Sequence, residues 1–257
     1  MRYGIIADIH GNLAAFKEVI KHLRGVDQIW CLGDVVGYGP DPNECIELLA
    51  SFSHLCIAGN HDLGAIGKID LDDFSLDARI ACEWTGRELT LQSLNYLQNL
   101  PLELNPIDDV TLVHGSPRNP IWEYIISTWD AEANFHHFTS KVAFVGHTHI
   151  PIVFQKFPKD TRLPAGPPTG RAGQVCQAIG LEEGKVFTLR EGFRYIINVG
   201  SVGQPRDGNP KASFIIFDSE KFSFEYHRVS YPIEETQEKM ESNKLPAFLI
   251  YRLTHGI

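Results

Sequence analysis

Each of the first three apolar runs in this chain ends on a polar residue of one chemical kind, at a constant interval. Residues 2–7, 28–32 and 54–58 read as short buried strands. Between the first two, Leu13, Phe16, Val19, Ile20 and Leu23 recur at helical spacing behind Asn12, which stands in an N-cap position. Between the second and third, Asp41-Pro42-Asn43-Glu44 is a helix start, with a capping Asp, Pro in the first turn and Glu three residues on. Strand, helix, strand, helix, strand calls for a parallel sheet with helices on its faces. Asp8, Asp34 and Asn60 follow the three strands and stand 26 residues apart. The same residue type therefore returns to one sheet edge, outside the carboxyl ends of the strands, where open α/β sheets bind ligands.

The later pattern is less regular. Residues 72–100 are helical in character and end at Pro101. Val110–Val113 and Val142–Val145 are further strands, with a helix over 130–138 between them. Beyond 150 the expected strands are 151–157, 174–180, 185–189, 194–199, 212–218 and 222–230, with a Pro- and Gly-rich exposed loop at 158–173 and a polar helix at 232–243. No repeat or linker interrupts the chain. One domain over 1–257 is expected, with the polar strand ends in 1–150, a strand-rich half over 151–230 and a C-terminal helix and tail over 231–257.

Composition narrows the function classes. Hydrophobic residues make up 43% of the 257, enough for a core without disulfide staples. No apolar run nears the ~18–20 residues that cross a bilayer, and Asp8 and His10 cut short the run at 1–7, so neither a signal peptide nor an anchor is expected. A net charge of −9 argues against broad binding to nucleic acid or to an anionic membrane. Five cysteines without a CxxC, several inside apolar runs, suit buried reduced thiols in a cytoplasmic protein.

The polar residues that follow the strands are Asp8-Ile9-His10, Gly33-Asp34, Gly59-Asn60-His61-Asp62, His114-Gly115 and Gly146-His147-Thr148-His149. Taken singly, an Asp after a strand is a turn or cap residue and a His is a surface or satisfied core group. Taken together, five motifs hold five of the eleven histidines. Carboxylate with imidazole suits Mn, Fe, Ni or Zn. Seven donors are too many for one ion and suit two that share a carboxylate, about 3.5–4 Å apart.

These motifs, in this order and spacing, resemble the calcineurin-like metallophosphoesterases. Asn198-Val199-Gly200-Ser201, with Gln204-Pro205-Arg206 after it, is similar to the Asn-Pro-Gly-Ser segment of the small bacterial phosphodiesterase branch, Val199 departing from the usual proline. The resemblance implies a four-layer α-β-β-α sandwich of two mixed sheets with flanking helices. It assigns Asp8, His10, Asp34 and His149 to one metal and Asp34, Asn60, His114 and His147 to the other, with two divalent or trivalent Mn, Fe, Ni or Zn ions as cofactors. His61 is left as general acid, and Asp62 is expected to orient it and hold it protonated. The expected reaction is attack of a metal-bridging hydroxide on a phosphate ester, a phosphodiester first, in a small molecule or nucleotide.

Arg118, Arg206 and Asn12 are weaker candidates for substrate contact, since a solvated loop or an N-cap role explains each as well. Tyr38 either walls the site or packs beneath its loop. The competing readings on the same site are a protein phosphatase and a dinucleotide polyphosphate hydrolase, and more remotely a non-catalytic scaffold. A serine-hydrolase GxSxG and a P-loop are both absent from the sequence.

Overall fold

A computed structural model describes residues 1–158 and 175–257. All but the first residue of the loop expected at 158–173 lies outside the described residues. In chain order the elements begin β1 (Arg2–Ile6), α1 (Leu13–His22), β2 (Gln28–Cys31), α2 (Pro42–Ala50), β3 (His54–Cys56), α3 (Asn60–Ala65), α4 (Leu76–Glu88) and α5 (Leu91–Gln98). They continue with β4 (Glu103–Leu104), β5 (Val110–Val113), α6 (Thr128–Asn134), β6 (Val142–Val145), β7 (Ile152–Lys156) and β8 (Cys176–Gly180). The last are β9 (Val186–Thr188), β10 (Arg194–Asn198), β11 (Ala212–Asp218), β12 (Ser223–Val229), α7 (Ile233–Ser242) and α8 (Ala247–His255).

The strands form two mixed six-stranded sheets, ordered β3-β2-β1-β11-β12-β9 and β4-β5-β6-β10-β7-β8. β1, β2 and β3 run parallel in the first, and β5, β6 and β10 in the second. The sheets pack face to face. Ile5 and Ala7 of the first strand segment, with Trp30, Leu32, Val110, Leu112, Val142 and Phe144, meet in the layer between them. The alternate residues point the other way. Ile6, Ile29 and Cys31 pack under Phe16 and Val19 of α1 and Cys45 and Leu49 of α2. Val113, Ala143 and Val145 pack with Ala131 of α6 and Phe135. With both faces covered, these strands read as continuous apolar runs rather than alternating ones. The layers are helix, sheet, sheet, helix, as expected.

Three details differ from the expectations. The helical stretch before Pro101 is two helices, α4 and α5. Leu89 turns to an extended backbone and Thr90 caps the next helix, its side chain accepting from the Ser93 amide. Asn43 of α2 clamps the break, accepting from the Thr90 amide and donating to the Glu88 carbonyl. Asp41 stands at the N-cap of α2 without capping it, because its carboxylate accepts from Lys239 of α7 at 2.6 Å instead. α8 was not foreseen as a helix of its own. No helix among the described residues is long and apolar enough to cross a membrane. All five cysteines are buried and unpaired.

Candidate metal centre

The loops that leave the parallel strands keep bonding to one another past the strand ends. The Asp8 amide donates to the Gly33 carbonyl at 3.0 Å and the His10 amide to the Asp34 carbonyl at 2.9 Å. Across the two sheets, the His147 amide donates to both Asp8 carboxylate oxygens at 3.1 and 3.2 Å, and the ring of His114 donates from Nδ1 to the Leu32 carbonyl at 2.8 Å. These bonds turn the chain sharply. Asp8, His10, Asp34, His147 and His149 all have left-handed backbones, with φ between 50° and 66°. Such a conformation costs a non-glycine residue on the order of 1–3 kcal/mol, and it persists only where the surroundings enforce it. Gly59 is required for the close approach, since a Cβ there would strike the Asp34 carboxylate.

All seven sequence-expected metal ligands converge. Asp8 Oδ1 lies 3.5 Å from His149 Nε2, and Asp34 Oδ2 lies 3.7 Å from His10 Nε2 and 3.3 Å from His114 Nε2. Asn60 Oδ1 and His147 Nδ1 are each 3.2 Å from His114 Nε2. Three groups of donor atoms each fit within 4.8 Å: Asp8, His10 and His149; Asp34, His114 and His147; and His10, Asp34 and His61. Asp34 is common to two of the groups, as is His10.

The proton positions test whether cations fit here. His10 Nδ1 faces the Val36 carbonyl at 3.1 Å and His149 Nδ1 the Gln204 carbonyl at 2.6 Å, so each ring donates from Nδ1. Their Nε2 atoms are then both acceptors, yet they face each other at 3.1 Å. His147 likewise turns Nε2 to the Trp122 carbonyl, leaving the Nδ1 lone pair toward His114. Asp34 Oδ1 accepts from the His61 amide at 2.9 Å, while Oδ2 is buried without a partner. Lone pairs aimed at one another beside a buried carboxylate are what a bound cation satisfies. The donor set is nitrogen and oxygen with no thiolate, which suits Mn, Fe, Ni or Zn.

The electrostatics agree. Burial holds the His10 and His149 imidazoles well below the ordinary value and presses His147 down to about 3, so these rings are neutral and free to ligate. Burial opposes a charge on His114 too, but the carboxylates of Asp34 and Asp8 outweigh it and lift that ring to about 9. Without a cation, a proton on His114 is what balances Asp34, and a metal would displace it.

Of the remaining expectations, some hold their place and some do not. His61 sits against His10, Tyr38 and Phe74, with ring centroids 4.9, 4.2 and 4.9 Å away, and its Nδ1 is buried without a partner. Burial pushes it down to about 4. Asp62 does not orient it. The Asp62 carboxylate accepts from the backbone amides of Asp34, Val36 and Gly59 at 2.7, 3.1 and 3.0 Å, so it fixes the loops rather than the imidazole. The reason is helical: consecutive residues of α3 point about 100° apart. Arg118 is turned aside as well, 46% exposed and paired with Glu123. Asn12 is used up structurally. Its Oδ1 caps α1 through the Ala15 amide and accepts from Thr236, while Nδ2 donates to the Gly203 carbonyl and to Tyr231.

Arg206 does reach the site. With Tyr38, Asn60, His61, His147 and His149 it lines a cleft of about 250 Å³, and its Nη2 donates to the Tyr38 hydroxyl at 3.2 Å. Tyr38 is therefore a wall of the site. The cleft also contains Asp73, Phe74, Trp122, Tyr124 and Arg252, none of which the sequence singled out.

The sequence profile of the calcineurin-like phosphoesterase superfamily domain matches residues 1–221. The chain is 40% identical over 259 residues to an uncharacterized protein of Methanocaldococcus jannaschii, covering 98% of this chain and 97% of the other. The crystal structure of a metallophosphoesterase from Sphaerobacter thermophilus superposes with a TM-score of 0.85 at 42% identity, over 100% of this chain and 99% of that one. A shorter match, 38% identity over 64 residues, is to the symmetrical bis(5'-nucleosyl)-tetraphosphatase of Psychromonas ingrahamii and covers 23% of each chain.

Proposed function

The chain belongs to the calcineurin-like phosphoesterase superfamily, and from that membership we propose that it hydrolyses phosphate esters, phosphodiesters first, at a pair of transition-metal ions. The observation that supports the reading most is the pair of facing acceptor nitrogens, His10 Nε2 and His149 Nε2 at 3.1 Å, beside the buried Asp34 carboxylate, whose Oδ2 has the His10 and His114 imidazoles within 4 Å. Asp8, His10, Asp34 and His149 would hold one ion and Asp34, Asn60, His114 and His147 the other. Bound there, the ions supply Lewis acidity toward a phosphoryl oxygen and an activated water as nucleophile.

The chain's own residues do the rest. Arg206, beside Tyr38 in the cleft, offers a guanidinium to a non-bridging phosphate oxygen. His61 hands a proton to the leaving oxygen. Burial pushes its imidazole down to about 4, so the ring is neutral at pH 7, and no carboxylate side chain bonds to it; the substrate's own negative charge is what raises its proton affinity as it enters. The wall of Tyr38 and Phe74 keeps that proton from bulk water.

The test is turnover of bis(4-nitrophenyl) phosphate by protein reconstituted with Mn, Fe, Ni or Zn, before and after chelation. Activity that appears with metal and disappears with chelator is expected. Inactivity under every metal would end the reading and favour the non-catalytic scaffold.

A further inference from the structure

Arg252 lies past the last residue that the superfamily profile matches, yet it lines the cleft over the polar cluster. α8 brings it there by burying Leu249 and Leu253, four residues apart, in a cluster with Tyr38, Ala78, Ala81 and Met240. Two guanidiniums, Arg206 and Arg252, consequently share one cleft.

Among the described residues neither pairs with an acidic side chain, although Asp73 lines the cleft and Asp77 acts on Arg252 from a distance. Arg252 gives Nε to the backbone oxygen of Ile257. Arg206 gives Nη2 to Tyr38 and to Gln204 Oε1, both neutral, and keeps a buried Nε with no partner. Burial, then the charge of Arg206, presses the Arg252 guanidinium down to about 10. Like charges held together in a half-buried cleft are costly, and an anion between them offsets that cost.

The facing wall is aromatic. Phe74 and Trp122 meet edge to face at 5.2 Å, and the Tyr124 ring stacks on His147 at 4.1 Å and 12° while the residue stays 48% exposed. A flat ring entering the cleft finds a stacking surface beside the metal-side imidazole.

We infer that this cleft is a leaving-group subsite for a nucleotide, in which Arg206 and Arg252 hold a second phosphate beyond the scissile one and Phe74, Trp122 and Tyr124 hold the base. The inference rests on the phosphoesterase reading and adds the class of leaving group to it. In the reaction one water is consumed. Its oxygen bonds to the scissile phosphorus, and the bond to the leaving oxygen breaks with its electron pair. The departing group keeps its own phosphate, and a proton goes to the leaving oxygen or to solvent.

The experiment has a binding arm and a kinetic arm on manganese-loaded protein. Calorimetry compares α,β-methylene-ADP with AMP for wild type, Arg252→Gln, Arg252→Lys and Tyr124→Leu. Wild type should bind the two-phosphate ligand about tenfold or more tightly than AMP. Arg252→Gln should erase most of that ratio and Arg252→Lys should keep part of it. Tyr124→Leu should weaken both ligands alike.

In the kinetic arm, Arg252→Gln should lower kcat/KM on diadenosine tetraphosphate about tenfold more than on bis(4-nitrophenyl) phosphate. Equal affinity for the two nucleotides, or equal losses on the two substrates, overturns the subsite. No turnover of bis(4-nitrophenyl) phosphate by wild type overturns the phosphoesterase reading instead, and the binding arm still judges the subsite. Should Arg252→Gln fail to fold, Arg252→Lys carries the phosphate comparison and Tyr124→Leu tests the aromatic wall; a Tyr124→Leu that binds both nucleotides as tightly as wild type overturns the base site.

Discussion

The polar cluster at the strand ends and the cleft above it are built by different rules. The cluster is fixed by sheet register: Asp8, Asp34, His114 and His147 each follow a strand end, and the backbone hydrogen bonds between those loops leave little play. The cluster is the floor of the cleft, and its outer walls are assembled from what lies over that edge, namely the loops bearing Tyr38 and Arg206, the loop before α4, the loop before α6 and the helix α8. The residues of those walls share no spacing and no sheet. In this molecule the atoms suited to the chemistry are held by the frame, and the atoms suited to choosing a substrate are hung on it.

If that division is right, changes in the cluster should abolish activity on every substrate. Asp34→Asn should lower kcat/KM about a thousandfold or more and reduce bound metal, read by elemental analysis alongside the assay. Equal metal content in the variant would break the case for Asp34 as a shared ligand. His61→Ala marks the boundary between the regions. It should cost ~10²–10⁴-fold on an ester with a poor leaving group and far less on a nitrophenyl ester; equal losses remove it from the proton-donor role.

The frame itself can be probed away from both regions. Trp30 is fully buried between the sheets and stacks on Tyr3 at 3.9 Å. Trp30→Ala should destabilise the protein by ~3–5 kcal/mol in a denaturant titration.

A gentler probe is pH. His114 in the metal-free protein is raised to about 9, so its contribution is fully present below its ordinary 6.5 and is lost as pH rises through about 9. The melting temperature of chelated protein should fall between pH 7 and 9, and reconstitution with metal should flatten that slope.

The smallest effect belongs to Arg118, whose charge is spent on Glu123 at the surface. Arg118→Ala should leave the denaturation midpoint close to that of wild type and change kcat/KM by less than about twofold. A large loss would move the cleft's boundary to include it.

The same division explains what could be read beforehand. The cluster is legible because one residue type returns after one apolar run after another, and the parallel strands follow from the alternation of strand and helix, whereas the four-layer order comes from the family resemblance. The expectation that Asp62 orients His61 equates adjacency in sequence with adjacency in space, whereas within a helix neighbours diverge and Asp62 bonds backbone amides instead. Arg118 and Asn12 sat beside motifs, but nothing in the sequence showed that Glu123 and the α1 amides would claim them.

α8 did leave a signal: Pro246 ahead of it, Leu249 and Leu253 four apart, and Gly256 in the left-handed conformation as its stop. Phe74, Trp122 and Tyr124 left none. A single aromatic in a loop looks the same whether it faces a substrate or a core.

One bond pattern has a consequence for synthesis. The Ala7 and Asp8 carbonyls accept from the Val202 and Gly203 amides, and the Ser201 hydroxyl also donates to the Asp8 carbonyl, 193 residues downstream. On a ribosome the turn bearing Asp8 stays half-anchored until residues about 190 positions downstream have been made. A nascent fragment, however many of its histidines are already translated, lacks the brace that sets the Asp8 turn until the segment 201–203 has left the tunnel.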